Sequence, residues 1–229
     1  MDLKTQEGFH YLVLRSEEGS APCIYYLGLP QEMEGAQRLS DGFGCTIVYI
    51  VIDQWDDQLT PWPAKGLYRN DPDFRGEAAH FLDALVNRLI PAIEEAEGFM
   101  ATRRAIAGYS LAGLFSVYAF ANCALFSCVA SMSGSFWYEG WTDYIASLDL
   151  DKRGCSAFFS LGDRECKAKE KILHRVQENT EITIEALESW GVAVRHHLVP
   201  GGHFDNVYER VREGLASLDE MLTKDGRLS

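Results

Sequence analysis

The sequence predicts an α/β fold, with a mostly parallel central sheet and helices on both faces. Three observations carry this. Short apolar runs alternate with helix-periodic segments through the second half of the chain, the pattern of strand–helix–strand crossovers. The run Gly44 to Ile52 is nearly continuous in Ile, Val and Tyr, as expected of a strand buried on both faces. Finally, Ile106-Ala107-Gly108-Tyr109-Ser110-Leu111-Ala112-Gly113-Leu114 reads as strand, sharp turn, serine and helix start.

Phe9 to Leu14 alternates weakly and reads as an edge strand. Cys23 to Leu27 is a second strand, ending at Gly28, and Gly44 to Ile52 a third. Asp53 to Asp73 holds prolines, Trp55, Trp62 and many carboxylates, and reads as a long irregular loop of the functional kind. From Glu77 to Glu97, Phe81, Leu85, Leu89 and Ile93 recur at spacings of four, which predicts a core-facing helix that Pro91 kinks or restarts. Arg104 to Ala107 is a strand leading into the serine turn, and Leu111 to Asn122 is small and apolar, hence a buried helix. Cys128 to Met132 is the next strand, followed by an aromatic-rich loop and helix from Gly134 to Leu148. Cys155 to Leu161 is a strand that ends at Gly162-Asp163-Arg164-Glu165. Lys167 to Trp190 reads as a charged helix with Ile172, Val176, Ile184 and Leu187 inward. Val192 to Val199 is the last strand, then Pro200-Gly201-Gly202-His203, and Val207, Val211, Leu215, Leu218 and Leu222 mark a final amphipathic helix. With no internal repeat or linker, residues 1–229 read as a single domain.

Composition narrows the function. A formal net charge of −13 disfavours nucleic acid as a partner, since phosphate backbones are bound by clustered Lys and Arg. The N-terminus has no apolar signal core, and no apolar run approaches the roughly 18 residues of a membrane span, so a cytoplasmic location without membrane contact is expected. The cysteines Cys23, Cys45, Cys123, Cys128, Cys155 and Cys166 form no CxxC and sit mostly in apolar runs, as buried reduced thiols do. The close pair His196-His197 lies on a strand and points to opposite faces, so no metal site is expected, and no organic cofactor either. Oligomeric state is left open.

Ser110 is the candidate nucleophile. A serine squeezed between strand and helix needs small residues two positions either side, and Gly108 and Ala112 supply them. The strict pattern ends in Gly; here that position is Ala112, with Gly113 next. His203 follows the last strand, where sheet enzymes place functional groups, and is the candidate base and then acid. Between them in sequence, Gly162-Asp163-Arg164-Glu165 offers two acids. The spacing of a Gly, two residues, then the acid selects Glu165, with Asp163 the competitor or a turn residue. The order Ser, acid, His is the one α/β-hydrolases use. Oxyanion donors are expected from the backbone of Leu111 and from Gly28 or Leu29. Trp55, Trp62, Trp137 and Tyr138, with Phe136 and Trp141, form a candidate aromatic acyl or aryl pocket, ordinary packing being the alternative. Arg69 and Arg75 are expected to pair with Asp71 or Asp73 rather than clamp an anionic substrate.

With these residues placed, the chain resembles the α/β-hydrolase family that includes esterase D, the enterochelin (siderophore) esterases and feruloyl esterases. The matching segments are Cys23 to Leu29, Leu59-Thr60-Pro61-Trp62, Gly108 to Gly113, Ser131-Met132-Ser133-Gly134-Ser135-Phe136-Trp137-Tyr138, Leu161 to Glu165, and Gly201-Gly202-His203-Phe204. The Leu-Thr-Pro and Ser131-to-Tyr138 segments lean toward the enterochelin side. The resemblance implies hydrolysis of a small-molecule carboxylic ester. A siderophore or feruloyl/aryl ester is the narrower alternative, acyl transfer to another acceptor a further one, and a non-catalytic binding protein on the same fold the alternative from another class.

Overall fold

The computed structural model describes residues 3–15, 21–39, 41–68 and 70–224. Among these, eight strands form one sheet: β1 (Lys4–Gln6), β2 (Phe9–Leu14), β3 (Cys23–Gly28), β4 (Thr46–Val51), β5 (Arg104–Tyr109), β6 (Cys128–Met132), β7 (Ser156–Gly162) and β8 (Ala193–Val199). They lie in the order β1-β2-β4-β3-β5-β6-β7-β8. β1, β2 and β4 pair antiparallel, and every pairing from β4 to β8 is parallel. The predicted α/β class and mostly parallel sheet are what the structure shows.

Phe9–Leu14 is not the edge strand. β1 lies outside it, joined by the two-residue turn Glu7-Gly8, both with positive φ (51° and 83°). Lys4-Thr5-Gln6 is short and polar, so it carries no apolar alternation to read.

The helices in chain order are α1 (Met33–Ala36), α2 (Trp55–Gln58), α3 (Ala78–Ala84), α4 (Ile90–Glu97), α5 (Leu111–Asn122), α6 (Trp141–Ser147), α7 (Val176–Ser189) and α8 (Val207–Lys224). α2 interrupts the long loop predicted from Asp53. Pro91 acts as expected: it has no N–H to bond Asn87, and a π-helical turn over Leu85–Leu89 separates α3 from α4. The charged helix predicted from Lys167 starts only at Val176. Short 3₁₀ turns over Glu165–Lys167 and Lys171–Arg175 precede it, and Ile172 is 45% exposed rather than inward. Lys167-Ala168-Lys169-Glu170-Lys171 has no apolar stripe with which to hold a helix on the sheet.

Two apolar layers cover the sheet. α3 to α7 pack one face through Phe81, Leu85, Phe115, Trp141 and Leu187. α8 packs the other through Val211, Leu215, Leu218 and Leu222, beside Ala36 and Leu39. Every cysteine is a free thiol, Cys23, Cys45 and Cys128 fully buried. No helix of the described residues is long and apolar enough to cross a membrane. After β3 the chain winds first to β4 on one side and then to β5 on the other, so the crevice at the carboxyl ends of β3 and β5 is a topological switch point. The loops carrying Leu29 and Ser110 both open there.

Candidate active site

Ser110 joins β5 to α5 with φ 58° and ψ −123°, a conformation L residues rarely adopt. The turn is tight enough that a Cβ on Gly108 would stand 2.5 Å from the Cβ of Ala112. That is why the first small residue must be glycine, while the last tolerates a methyl. Gly113 carries the other close approach, its absent Cβ lying 2.7 Å from Ser131 Oγ. The turn is held by the Ser110 N–H, which donates to the Met132 carbonyl at 3.0 Å. Leu111, first residue of α5, begins with an N–H that no helical carbonyl can accept.

His203, in the loop after β8, places Nε2 3.0 Å from Ser110 Oγ and Nδ1 2.8 Å from Glu165 Oε2. With Nδ1–H donated to the carboxylate, Nε2 is the acceptor for the serine hydroxyl. The Glu165 side chain is 4% exposed. Its Oε1 accepts from Gly162 N–H (2.7 Å), Ser133 Oγ–H (2.7 Å) and Arg210 Nη1–H (2.9 Å). Burial alone would push this carboxyl up, but the bond to and charge of His203, with the Gly162 and Ser133 donors, hold it below the ordinary carboxylate value. Asp163 is brought elsewhere: its Oδ1 accepts the Gly201 N–H at 2.9 Å, bracing the loop that carries His203.

A folded-state value below the unfolded one means that Glu165 stabilises the protein above its ordinary value and ceases to as pH falls through the lowered one. The difference in melting temperature between wild type and Glu165→Gln should therefore be steady near neutral pH and close on acidification below about pH 4. A gap independent of pH would contradict this.

Of the two residues expected to offer the second oxyanion donor, Leu29 reaches the cavity wall and Gly28 does not. The Leu29 N–H is also shared with Glu32 Oε2 at 3.3 Å, half of a capping box over Pro30–Glu32. Gly28 sits behind, where any Cβ would strike the Tyr49 phenol, whose hydroxyl donates to the Leu29 carbonyl at 2.7 Å. Gly28→Ala should displace Tyr49, lower the melting temperature by several degrees and slow turnover; an unchanged melt and rate would show that Tyr49 does not hold this loop.

Ser110, His203 and Glu165 open into a cavity of about 1000 Å³. Trp55 and Trp137 line it. Trp62 and Tyr138 do not: the Trp62 indole N–H donates to the Glu139 carbonyl at 2.8 Å, the Tyr138 hydroxyl donates to the Trp62 carbonyl, and both rings pack against Phe74 or Tyr144. The wall instead includes Leu67, Tyr68, Phe74 and Phe204, with Lys167 and Lys169. Phe204 is 86% exposed and meets the His203 ring edge-on at 4.9 Å. Arg75 pairs with Asp57 (3.5 Å), not Asp71 or Asp73; Asp73 is taken by Lys65 (2.7 Å), and Asp71 accepts the Tyr68 N–H (3.1 Å). Arg69 lies outside the described residues. Among those described, no cluster of three or more His, Cys, Asp or Glu side chains is placed to hold a metal ion. Arg210, which touches Glu165, escapes the sequence reading, although its place on the α8 stripe between Val207 and Val211 marks an inward position.

The family model described as "Putative esterase" matches residues 19–208. "Uncharacterized protein YbbA" of Bacillus subtilis (strain 168) is 32% identical over 210 residues, covering 84% of this chain and 82% of its own. Among solved structures, an IroE-like serine hydrolase from Shewanella oneidensis superposes with a TM-score of 0.74 at 18% identity, over 93% of this chain and 76% of that one. Siderophore hydrolase EstA from Aspergillus nidulans gives 0.67 at 17% identity, over 96% and 92%. A ferulic acid esterase gives 0.64 at 17% identity, over 96% of both chains.

Proposed function

This chain belongs to the Putative esterase family and is a carboxylic-ester hydrolase, and we propose that it works through an acyl-enzyme formed on Ser110. The observation that carries this reading is the unbroken line of bonds Ser110–His203–Glu165 at the floor of the switch-point cavity. His203 Nε2 takes the hydroxyl proton as Ser110 Oγ attacks the ester carbonyl. The N–H groups of Leu111 and Leu29 receive the oxyanion, Leu29 releasing its long bond to Glu32 as it does so. The tetrahedral intermediate collapses, the C–O bond to the alcohol breaks, and the imidazolium returns its proton to the leaving oxygen. Water, deprotonated by His203, then releases the acid and restores Ser110. Glu165 holds the imidazole ring and offsets its transient charge.

The cavity is large and walled by Trp55, Tyr68, Phe74 and Trp137, which favours an aromatic acyl group over a short aliphatic one. The ferulic acid esterase among the structural neighbours points the same way. A screen of acetyl, butyryl, feruloyl and catecholate esters tests this. The aromatic acyl esters should exceed acetyl in kcat/KM by about tenfold or more; a preference for the shortest acyl chains would overturn the aromatic assignment.

A further inference from the structure

We infer that Arg210 is a positioning residue for this machinery: it ties Glu165 to the loop carrying His203, and its charge sets the acidic limb of the activity. The inference rests on the Ser110–His203–Glu165 reading and extends it to α8, on the opposite face of the sheet from α5.

The Arg210 side chain is 2% exposed, and among the described residues it is the one cation so buried. Nη1 donates to Glu165 Oε1 (2.9 Å), Ser133 Oγ (2.9 Å) and Tyr109 OH (3.2 Å), and Nη2 to the Gly202 carbonyl (2.9 Å). Tyr109 in turn donates its hydroxyl to the His203 carbonyl. The guanidinium thus grips the acid directly and the histidine loop on both flanks of His203. Its Nε is buried without a hydrogen-bond partner. A buried charge with an orphan N–H is a costly choice for an α8 position that an apolar side chain would fill with less strain. Neighbouring glycines make the room: a Cβ on Gly162 would stand 2.8 Å from Arg210 Nη2 and 3.0 Å from Glu165 Oε1, and one on Gly201 (φ 128°) 3.0 Å from Nη2.

One carboxylate therefore serves two cations during turnover, Arg210 permanently on Oε1 and His203 transiently on Oε2. Arg210 Nη1 and His203 Nδ1 stand 2.9 Å and 2.8 Å from the two oxygens of that carboxylate. The other charged groups around the pair are bound elsewhere or face solvent. Asp163 is bonded to Gly201 N–H, Arg164 and Asp205 form an exposed pair at 3.1 Å, and Lys167 and Glu32 stand on the cavity wall. Solvent screens exposed charges. Tyr109 is neutral, its phenol pushed up by burial.

The test is the rate of Ser110 labelling by a fluorophosphonate, which needs no knowledge of the natural ester, measured from about pH 5 to about pH 9. Arg210→Met should label about tenfold or more slowly on the plateau, with its acidic limb displaced upward by about one pH unit. Arg210→Lys should keep the limb within about 0.3 unit, since the charge remains, yet label several-fold slowly, since an ammonium cannot bridge Glu165 and Gly202 as the fork does. An unmoved limb in Arg210→Met overturns the inference, as does Arg210→Lys at the wild-type rate or with a displaced limb. If Arg210→Met has no cooperative melt, Arg210→Lys decides alone by the same two readouts. Folded wild type that fails to label at any pH overturns the Ser110 reading itself, which separates the two failures.

Discussion

Ser110→Ala is expected to lower kcat by about 10⁴-fold or more on every ester the wild type cleaves, with the fold intact. The substitution removes the oxygen proposed to attack the ester and leaves the rest of the site in place. Alanine inherits the same strained turn, which is imposed by the approach of Gly108 to Ala112 and by the bond from the residue-110 N–H to Met132. Among the described residues, the serine hydroxyl bonds His203 Nε2 and, at a long 3.3 Å, the buried Ser135 Oγ, so its removal frees those two partners alone. The melting temperature should thus stay within a few degrees of wild type. Residual turnover would come from the Leu111 and Leu29 donors acting on a water-driven reaction. A loss smaller than about tenfold would mean that the ester is cleaved by some other group, and a protein that only binds on this fold would show no hydrolysis to lose.

Glu165→Gln is expected to lower kcat by about 10³- to 10⁴-fold, whereas Asp163→Asn should stay within several-fold of wild type. The two acids stand two residues apart but do different work. Glu165 Oε2 accepts from His203 Nδ1, and three donors lock its other oxygen. An amide there presents an N–H toward the imidazole or turns its carbonyl away from Arg210. The first favours the wrong tautomer, the second sets an NH2 against the Gly162, Ser133 and Arg210 donors, and either leaves a buried guanidinium without its counter-ion. Among the described residues, the Asp163 carboxylate accepts only the Gly201 N–H, which an asparagine oxygen accepts equally well. The measured ratio of the two losses decides the assignment: Asp163→Asn as the more damaging change would reverse it.

What could be read from the residues, and what could not, follows from how each part is stabilised. Strands β3 to β7 are buried on both sides, so they appear as apolar runs, read to within about two residues. β1 is three polar residues held by a turn, and nothing in Lys4-Thr5-Gln6 distinguishes it from a tail. The segment from Glu165 to Arg175 is charged enough to suggest a helical face but too poor in apolar residues to dock one. For the candidate site, the meeting of Ser110, His203 and Glu165 was legible because strand ends place residues, and the order along the chain is itself informative. The choice of Glu165 over Asp163 depends on the turn after Gly162, which the spacing of a glycine and two residues anticipates. The cavity wall was not legible. Trp55 opens α2 and Trp62 follows it in the loop, yet one faces the cavity and the other is tied to the Glu139 carbonyl, a difference set by partners distant in sequence. Arg210 was passed over because its place on the α8 stripe points it inward but names no acceptor for a cation there until the fold brings Glu165, Ser133 and Gly202 to it.

The most direct measurement is the mass of the intact protein after exposure to a fluorophosphonate, with the modified residue located by fragmentation. Wild type should gain one phosphonyl group on Ser110, His203→Ala should label far more slowly, and Ser110→Ala should gain none. Unlabelled folded wild type, or a phosphonyl group carried on any residue other than Ser110, would contradict the account.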